Sequence, residues 1–356
     1  MTVLTLPAQP AKEIGLRPLP WRRMLWVTWR QHRATLISVP AVLGAVAVFL
    51  WIAGLKIHQD YAALTACHPF QSSACQALNS SFNSGDWTMG NSVSILMQLV
   101  PPLLGAFAGA PLLARELETG TFRYAWTQGF GRERWAIAKL ALLAVAITAV
   151  AWAFSQVFTW FFQPFLAQED LTLLNSTEFE TRGIAFAAWT LAAFSIGALF
   201  GVLIRRIVPA MAATLGVYLG LNLATWLFLR PRYPLALSTS NPGFMALSVS
   251  SPGSAGNGTS SVNDPWVLST WYSGSGGKPA NQSVVNQALA LFPHNGPPRT
   301  TETLAQVLAQ HGITEWWSYI PVSRFWPMQF IEGGWLLALS VLLIAATVWL
   351  VRWRAA

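Results

Sequence analysis

The sequence predicts an all-α membrane protein with six transmembrane helices. Of its 356 residues, 53% are hydrophobic and only 10% are charged, whereas a soluble domain usually carries about 25% charged residues. Six apolar stretches are long enough to cross about 30 Å of hydrocarbon, because a helix rises about 1.5 Å per residue. The 19 Trp residues also favour a membrane protein, since the indole ring prefers the headgroup level of a bilayer. A disordered chain, a collagen and a cytosolic globular enzyme are excluded.

The six stretches share one property, which is the absence of an ionised side chain from their middle. Lys139, Arg205 and Glu332 lie near the ends, where we expect them to snorkel to water. The first stretch follows 37 residues with six basic side chains, so we expect a retained helix and not a cleaved signal peptide. The third is long enough to require tilt or an extension into water. The predicted spans are Ser38–Leu55, Val93–Leu113, Ala136–Phe162, Ile184–Ile204, Pro209–Leu229 and Ile331–Val351.

The distribution of Lys and Arg predicts the orientation. With the N-terminus inside, the inner segments hold 15 of the 22 basic residues, and the outer segments, more than twice as long, hold seven. Basic side chains resist translocation, so we expect a multi-pass protein of the plasma membrane with both termini in the cytoplasm. The net charge of +8 then reflects topology, and we expect no nucleic-acid partner. The inner segments are 1–37, 114–139, 205–208 and 352–356, and the outer ones are 56–92, 163–183 and 230–330.

The predicted order along the chain is a cytoplasmic N-terminus, five transmembrane helices, a large extracytoplasmic segment and a sixth helix with a short tail. A cytoplasmic loop at 114–135 joins the second and third helices. The corresponding ranges are 1–37, 38–229, 230–330 and 331–356.

The segment Trp21–Arg33, which reads WRRMLWVTWRQHR, predicts an amphipathic helix at the membrane surface. At about 100° per residue, apolar side chains fall on one side and basic side chains on the other. Trp would lie at the acyl boundary and Arg against anionic lipid phosphates. The alternative is a basic flank without a mechanical role, and the residues alone favour neither. The residues that define the helix are Trp21, Arg22, Arg23, Trp29, Arg30 and Arg33.

The loop between the second and third spans is the most informative segment. Arg115–Thr119 continues the second helix, and Gly120 is expected to end it. The next residues include Phe122, Tyr124 and Trp126, which are too aromatic for an ordinary solvated turn and favour either a protein-docking surface or another interfacial anchor. Glu116 is expected to pair with Arg115, Arg123 or a basic residue of a partner.

These residues resemble the membrane subunits of type 2 ATP-binding cassette (ABC) exporters, and most closely the actinobacterial branch. The resemblance covers the whole chain in span number and topology, whereas its motifs occupy only about 40 residues. The long segment 230–330 departs from the family, which usually has a short exterior cap there. The motifs are Arg115-Glu116, Gly120-Thr121, Trp126-Thr127-Gln128, Arg132 with Arg134-Trp135 and Lys139, Trp29–Arg33, and Arg324–Glu332.

The resemblance implies a permease subunit that moves a hydrophobic or amphipathic cargo outward and performs no chemistry itself. It implies that Trp21–Arg33 is a connecting helix and that Arg115–Gln128 is a coupling helix that docks on a soluble ABC ATPase. ATP and Mg²⁺ would bind that ATPase, with no cofactor in this chain, and a second permease subunit, identical or homologous, would complete the transporter in the bilayer. The implied coupling residues are Arg115, Glu116, Gly120, Thr121, Phe122, Tyr124 and Trp126.

Cys67 and Cys75 are the two cysteines of the chain, and both fall in the first outer loop. On the oxidising side of a membrane such a pair is expected to form a disulfide. A metal site with His68 would lack a fourth ligand, and we expect no metal.

The segment 230–330 has few clear signals. Residues 238–282 are rich in Ser, Gly, Asn and Pro and predict irregular chain. Ser283–Phe292 and Thr301–His311 are consistent with short helices. The aromatic residues that follow predict an interfacial belt before the last span, with a substrate exit as the alternative. They are Trp316, Trp317, Tyr319, Phe325 and Trp326.

Several function classes lack their motifs. Gly274–Lys278 (GSGGK) is no nucleotide-binding loop, because its first glycine is misplaced and Pro279 replaces the required Ser or Thr. A secondary transporter is disfavoured because no ionisable residue lies at mid-membrane. Asn222, inside the fifth span, is expected to form an interhelical hydrogen bond, with a substrate contact as the alternative. A non-transporting sensor or assembly scaffold that binds a ligand through 230–330 remains the competing function.

Overall fold

The structure is a computed structural model that describes residues 21–69, 72–120, 132–168, 179–233, 236–240, 266–274, 278–291 and 304–354. Six of its helices are long and apolar enough to cross a membrane, which confirms the predicted helical fold. The spanning helices are α1 Trp21–Ala66, α2 Ser73–Thr119, α3 Arg132–Gln168, α4 Gly183–Ile204, α5 Ile207–Arg232 and α8 Phe325–Arg354. Two short helices, α6 Gln282–Leu289 and α7 Leu304–Gln310, lie between α5 and α8.

The helices run in alternating directions, so the connections fall at two opposite ends of the bundle. One end, called the Gly120 end, contains the last residues of α2 and α4 and the first residues of α3 and α5. The other, called the Arg230 end, contains the last residues of α1, α3 and α5 and the first residues of α2, α4 and α8. Helix α4 is central, because it contacts α2, α3, α5 and α8, whereas α1 packs mainly on α3.

Helix α1 differs from its prediction in length. The predicted surface helix and first span form one unbroken helix of 46 residues, about 69 Å long. The apolar pattern located only the part that is fully hydrophobic, whereas Arg, Gln and Leu continue a helix equally well. Helix α2 likewise begins 20 residues before its predicted start, through a polar stretch that contains a π-helical turn at Phe82–Asp86.

A close helix contact joins α2 to α4. Each helix carries two glycines four residues apart, Gly105 and Gly109 in α2 and Gly197 and Gly201 in α4. A Cβ atom at Gly109 would lie 2.5 Å from the Phe194 carbonyl oxygen, closer than real Cβ contacts allow. Small residues at this spacing let two backbones approach within a membrane, so α2 and α4 pack as a tight pair.

The segment after α5 is not irregular throughout, which corrects the prediction for 230–330. Three strands form an antiparallel sheet in the order β1-β3-β2, with β1 Leu237–Thr239, β2 Trp266–Ser273 and β3 Thr314–Ile320. Two of them lie in or beside the Ser/Gly-rich stretch 238–282. Two short helices, α6 and α7, overlap the predicted ranges; α6 begins one residue before its range, and α7 lies inside its range.

The aromatic run before α8 is also placed differently from its prediction. Trp316, Trp317 and Tyr319 lie in β3, and Trp317 is buried. They therefore form part of a folded unit, and their position at the membrane interface stays a prediction. Ile320, at the end of β3, packs with Met328 of α8 in the core at the Arg230 end, which joins the sheet to the bundle.

Candidate functional site

The Gly120 end contains the candidate coupling site. Helix α2 ends at Gly120, whose φ of 72° lies in the left-handed region that a glycine adopts without strain. This confirms the predicted end of the helix. Arg115 is exposed and Glu116 half-buried, in the last two turns of α2. The other predicted coupling residues, Thr121, Phe122, Tyr124 and Trp126, lie outside the described residues.

Glu116 forms an ion pair with Lys139 of α3, a partner that was not expected from the sequence. Of the partners that were expected, Arg123 lies outside the described residues. Lys139 is 1% exposed, and its ammonium lies 4.3 Å from the centre of the Trp135 ring. The prediction that Lys139 snorkels to water is therefore wrong. Removing one partner of a buried ion pair costs several kcal/mol of stability. The pair therefore fixes the end of α2 to the start of α3.

Glu118 makes the corresponding contact with α5. Its carboxylate accepts a hydrogen bond from the backbone N–H of Ile207 at 3.3 Å. Ile207 is the first residue of α5, so the carboxylate satisfies a free N–H group and complements the helix dipole. The last turns of α2 are thus bonded to both α3 and α5, immediately before residues 121–131.

The predicted surface helix lies in the first turns of α1. Trp29, Arg30 and Arg33 are exposed, and the side turned toward the bundle carries Thr28 and Leu36. These exposed side chains can contact lipid, as the predicted surface helix requires. The position of the helix in the headgroup layer stays a prediction. The side chains of Trp21, Arg22 and Arg23 lie outside the described part of the structure.

A buried ionic network occupies the Arg230 end, and we call it the Arg230 cluster. Arg230 is fully buried, and donates to Glu332 from Nε at 3.0 Å and from Nη2 at 2.8 Å. Its Nη2 also donates to Glu180 at 2.6 Å. Glu332 further accepts from Trp189 Nε1 at 2.8 Å and from the Tyr233 hydroxyl at 3.4 Å. Glu332 is also fully buried, so the prediction that it snorkels is wrong.

The charges of this cluster do not balance, because two carboxylates face one guanidinium. Burial raises the pKa of Glu180 above its usual value, although Arg230 and a hydrogen bond from Asn222 oppose the shift. Asn222 donates to Glu180 at 2.8 Å, so Asn222 forms a hydrogen bond as expected, and its partner lies just before α4 and not in another spanning helix. The Arg230 cluster ties the start of α4, the end of α5 and the start of α8 into one rigid assembly.

A neutral side chain strengthens the same junction. Gln329 of α8 accepts from the backbone N–H of Ala185 at 2.7 Å and donates to the Phe179 carbonyl at 3.0 Å. All these atoms are buried, so each hydrogen bond satisfies a group that has no access to water.

The disulfide between Cys67 and Cys75 is present and confirms that prediction. It closes the turn between α1 and α2 at the Arg230 end. The described residues contain no group of three or more His, Cys, Asp or Glu placed to hold a metal ion.

Sequence reasoning missed the two features that hold the bundle together. The paired glycines of α2 and α4 were detectable, because G-x-x-x-G within an apolar helix is a known packing signal. The Arg230 cluster had no local signal, since Glu180 and Glu332 lie 50 and 102 residues from Arg230.

The chain was compared with known protein families, curated proteins and solved structures. The family model described as "ABC-2 membrane transporter related" matches residues 40–230, which is more than half of the chain. No curated protein and no solved structure matches. The matched range contains α2, α3, α4 and the Gly120 end.

Proposed function

The chain belongs to the ABC-2 membrane transporter related family, and on this premise we propose that it is the permease subunit of an ATP-driven exporter. A permease of this kind is a membrane transport component that is generally not catalytic itself. It normally works with an ATPase subunit and a lipid bilayer. In our proposal a separately encoded ATPase binds ATP and Mg²⁺, and this chain moves a hydrophobic or amphipathic cargo outward.

The connection of the Gly120 end to three helices is the observation that carries the proposal. A segment that docks on an ATPase is useful only if its motion reaches the helices that line the pathway. Glu116 joins α2 to α3, and Glu118 joins α2 to α5. The paired glycines seat α2 against the central helix α4. A displacement applied after Gly120 would therefore move several helices together.

The mechanism follows from this connection. Closure of the ATPase on ATP would push the segment 121–128, with Phe122, Tyr124 and Trp126 as the aromatic anchors in its docking groove. The push would shift the ends of α2, α3 and α5 that meet at Gly120, while the Arg230 cluster holds α4, α5 and α8 together at the opposite end. A second six-helix subunit, identical or homologous, would provide the facing half, because alternating access needs two halves that move apart.

The composition of the spans supports the proposed cargo class. Each spanning helix contains an apolar stretch with at most two charged residues. A pathway formed by such helices suits a molecule that already partitions into a bilayer, because polar groups without partners are costly at this depth. With both termini in the cytoplasm, as the distribution of basic residues predicts, the Gly120 end would face the cytoplasm. The disulfide and the β-sheet would then face the outside.

Reconstitution tests the proposal directly. The chain and the ATPase that co-purifies with it from native membranes are placed in sealed vesicles loaded with a lipophilic dye. ATP should drive dye movement that vanadate inhibits, and the chain alone should drive none. A chain that purifies without any ATPase, and whose vesicles show no ATP-dependent movement, would favour the sensor or scaffold function instead.

A further inference from the structure

A cavity of about 150 Å³ lies between strand β3 and helix α7, outside the spanning helices. A cavity of this volume is large enough for a molecule the size of benzene, or for about five water molecules. It forms where α6 and α7 cover one face of the sheet, through an apolar cluster that includes Val285, Val307 and Leu308. The cavity is therefore part of a packed unit.

The walls of the cavity are mostly apolar. Leu308 and Ile313 line it from the α7 side, and Trp317 lines it from the sheet. All three side chains are buried. Side chains alternate along a strand, so Glu315 and Trp317 lie on the same face of β3. The cavity thus combines an aromatic ring and aliphatic side chains with a single carboxylate.

Glu315 is the charged residue among those that line the cavity, and it is 8% exposed. The Tyr272 hydroxyl, on the neighbouring strand, donates to its Oε1 at 3.2 Å. An ionised carboxylate has acceptor positions for about four hydrogen bonds, so Tyr272 uses only part of its capacity. Within the described part of the chain, no basic side chain forms an ion pair with Glu315.

Glu315 is a buried carboxylate with no ion-pair partner among the described residues, and such a group is costly to place in a mostly apolar cavity. Leucine or glutamine would fill the position without the cost of desolvating a charge. Burial raises the pKa of the Glu315 carboxyl above its usual value, although the Tyr272 hydrogen bond opposes the shift. A positive charge beside the carboxylate would offset the cost that burial imposes.

We propose that this cavity binds a small organic cation, namely a protonated amine or a quaternary ammonium group. Glu315 supplies the counter-charge, Trp317 the aromatic surface that favours a cation, and Leu308 and Ile313 the contacts with its methyl or methylene groups. Ser240, at the rim, offers a hydroxyl to an N–H donor. The site lies outside the transport pathway described above and does not depend on the direction of transport.

Calorimetric titration of the full chain tests the site. The chain is purified in an uncharged maltoside detergent, because detergents with quaternary ammonium groups would compete. Tetramethylammonium chloride and methylammonium chloride are titrated separately, with potassium chloride at equal ionic strength as the reference. We expect saturable binding of at least one organic cation above the potassium reference. Tighter binding of tetramethylammonium would show that methyl contacts dominate, and tighter binding of methylammonium would show that N–H donation dominates.

Two variants locate the binding. Glu315→Gln keeps the shape of the side chain and removes its charge, and should weaken binding at least tenfold, about 1.4 kcal/mol. Ala309→Leu, at an exposed position on the cavity rim of α7, narrows the cavity without disturbing the helix and should also weaken binding. Glu133→Gln, which removes an exposed carboxylate at the Gly120 end, should leave binding unchanged. Absence of saturable binding, or equal binding by Glu315→Gln and the unmodified chain, would overturn the proposal.

Discussion

Replacing Arg230 by Met should destabilise the protein strongly, because Arg230 is the common partner of two buried carboxylates. Arg230 is fully buried and makes three hydrogen bonds of 3.0 Å or less to Glu180 and Glu332. Removing one member of a buried ionic network leaves an uncompensated charge, which costs about 3–5 kcal/mol. At about 2 °C per kcal/mol for a large chain, the expected fall in Tm is about 6–10 °C.

The assay is thermal unfolding of the purified chain in detergent, with the fraction of protein that has not aggregated measured after heating. Arg232→Met is the matched control, because Arg232 lies two residues away, is exposed and bonds only to the Phe228 carbonyl among the contacts seen. Its Tm should change by less than about 2 °C, as is usual for a surface substitution. Equal Tm values for the two variants would refute the structural role of Arg230.

The imbalance of charge predicts a further difference within the cluster. Glu180→Gln leaves one carboxylate facing one guanidinium, and burial already favours the neutral form of Glu180. It should therefore destabilise by less than about 1 kcal/mol, much less than Arg230→Met. Combining Arg230→Met with Glu332→Gln should restore part of the lost stability, because the orphaned charge is removed as well.

Three other predictions concern packing, coupling and topology. Gly109→Ala should destabilise the protein by about 1–3 kcal/mol, since its Cβ would meet the Phe194 carbonyl. Gly216→Ala is the control and should not destabilise it, because Gly216 has open space around it. Equal thermal stability of the two variants would contradict the packing. Glu116→Gln should lower ATP-driven transport per mole of folded subunit about fivefold or more. Because the buried Lys139 loses its partner, the variant should also lose stability, but transport should be impaired more than assembly. Unaltered transport by the variant would count against the coupling role. Fusions of a reporter that fluoresces only in the cytoplasm should fluoresce at both termini, and a dark fusion at either one would reverse the predicted orientation.

Local patterns predicted the features that depend on local chemistry. A run of about 20 apolar residues identifies a spanning helix whatever its tertiary contacts are. Gly120 ends α2 because a glycine adopts the left-handed conformation most easily. The two cysteines form a disulfide because they lie close together in the sequence, across a short turn. Asn222 was expected to form a hydrogen bond, and its partner Glu180 became visible only in the structure.

Features that depend on distant pairs were not predictable in the same way. The strands β2 and β3 pair through residues more than 40 positions apart, such as Ser273 with Thr314, and β2 lies within a Ser/Gly-rich stretch that hides its pattern. Lys139 and Glu332 each carry a charge near the end of a span, which normally indicates snorkelling. Only the fold reveals that each has an opposite charge beside it, contributed by another helix.

The central claim is that the segment after Gly120 docks on an ATPase, and one measurement tests it most directly. Phe122, Tyr124 and Trp126 are replaced together by Ala, and the ATPase that co-purifies per mole of detergent-extracted chain is compared with that of the unmodified chain. Aromatic anchors in a docking groove commonly contribute about 2 kcal/mol or more each, so the ratio should fall at least about tenfold while the amount of inserted chain persists. Trp349→Ala with Trp353→Ala, which removes exposed aromatics of α8 near the same end, should leave the ratio unchanged. An unchanged ratio for the triple variant, with fewer chains inserted, would show that these residues anchor the chain in the membrane and would contradict the docking role.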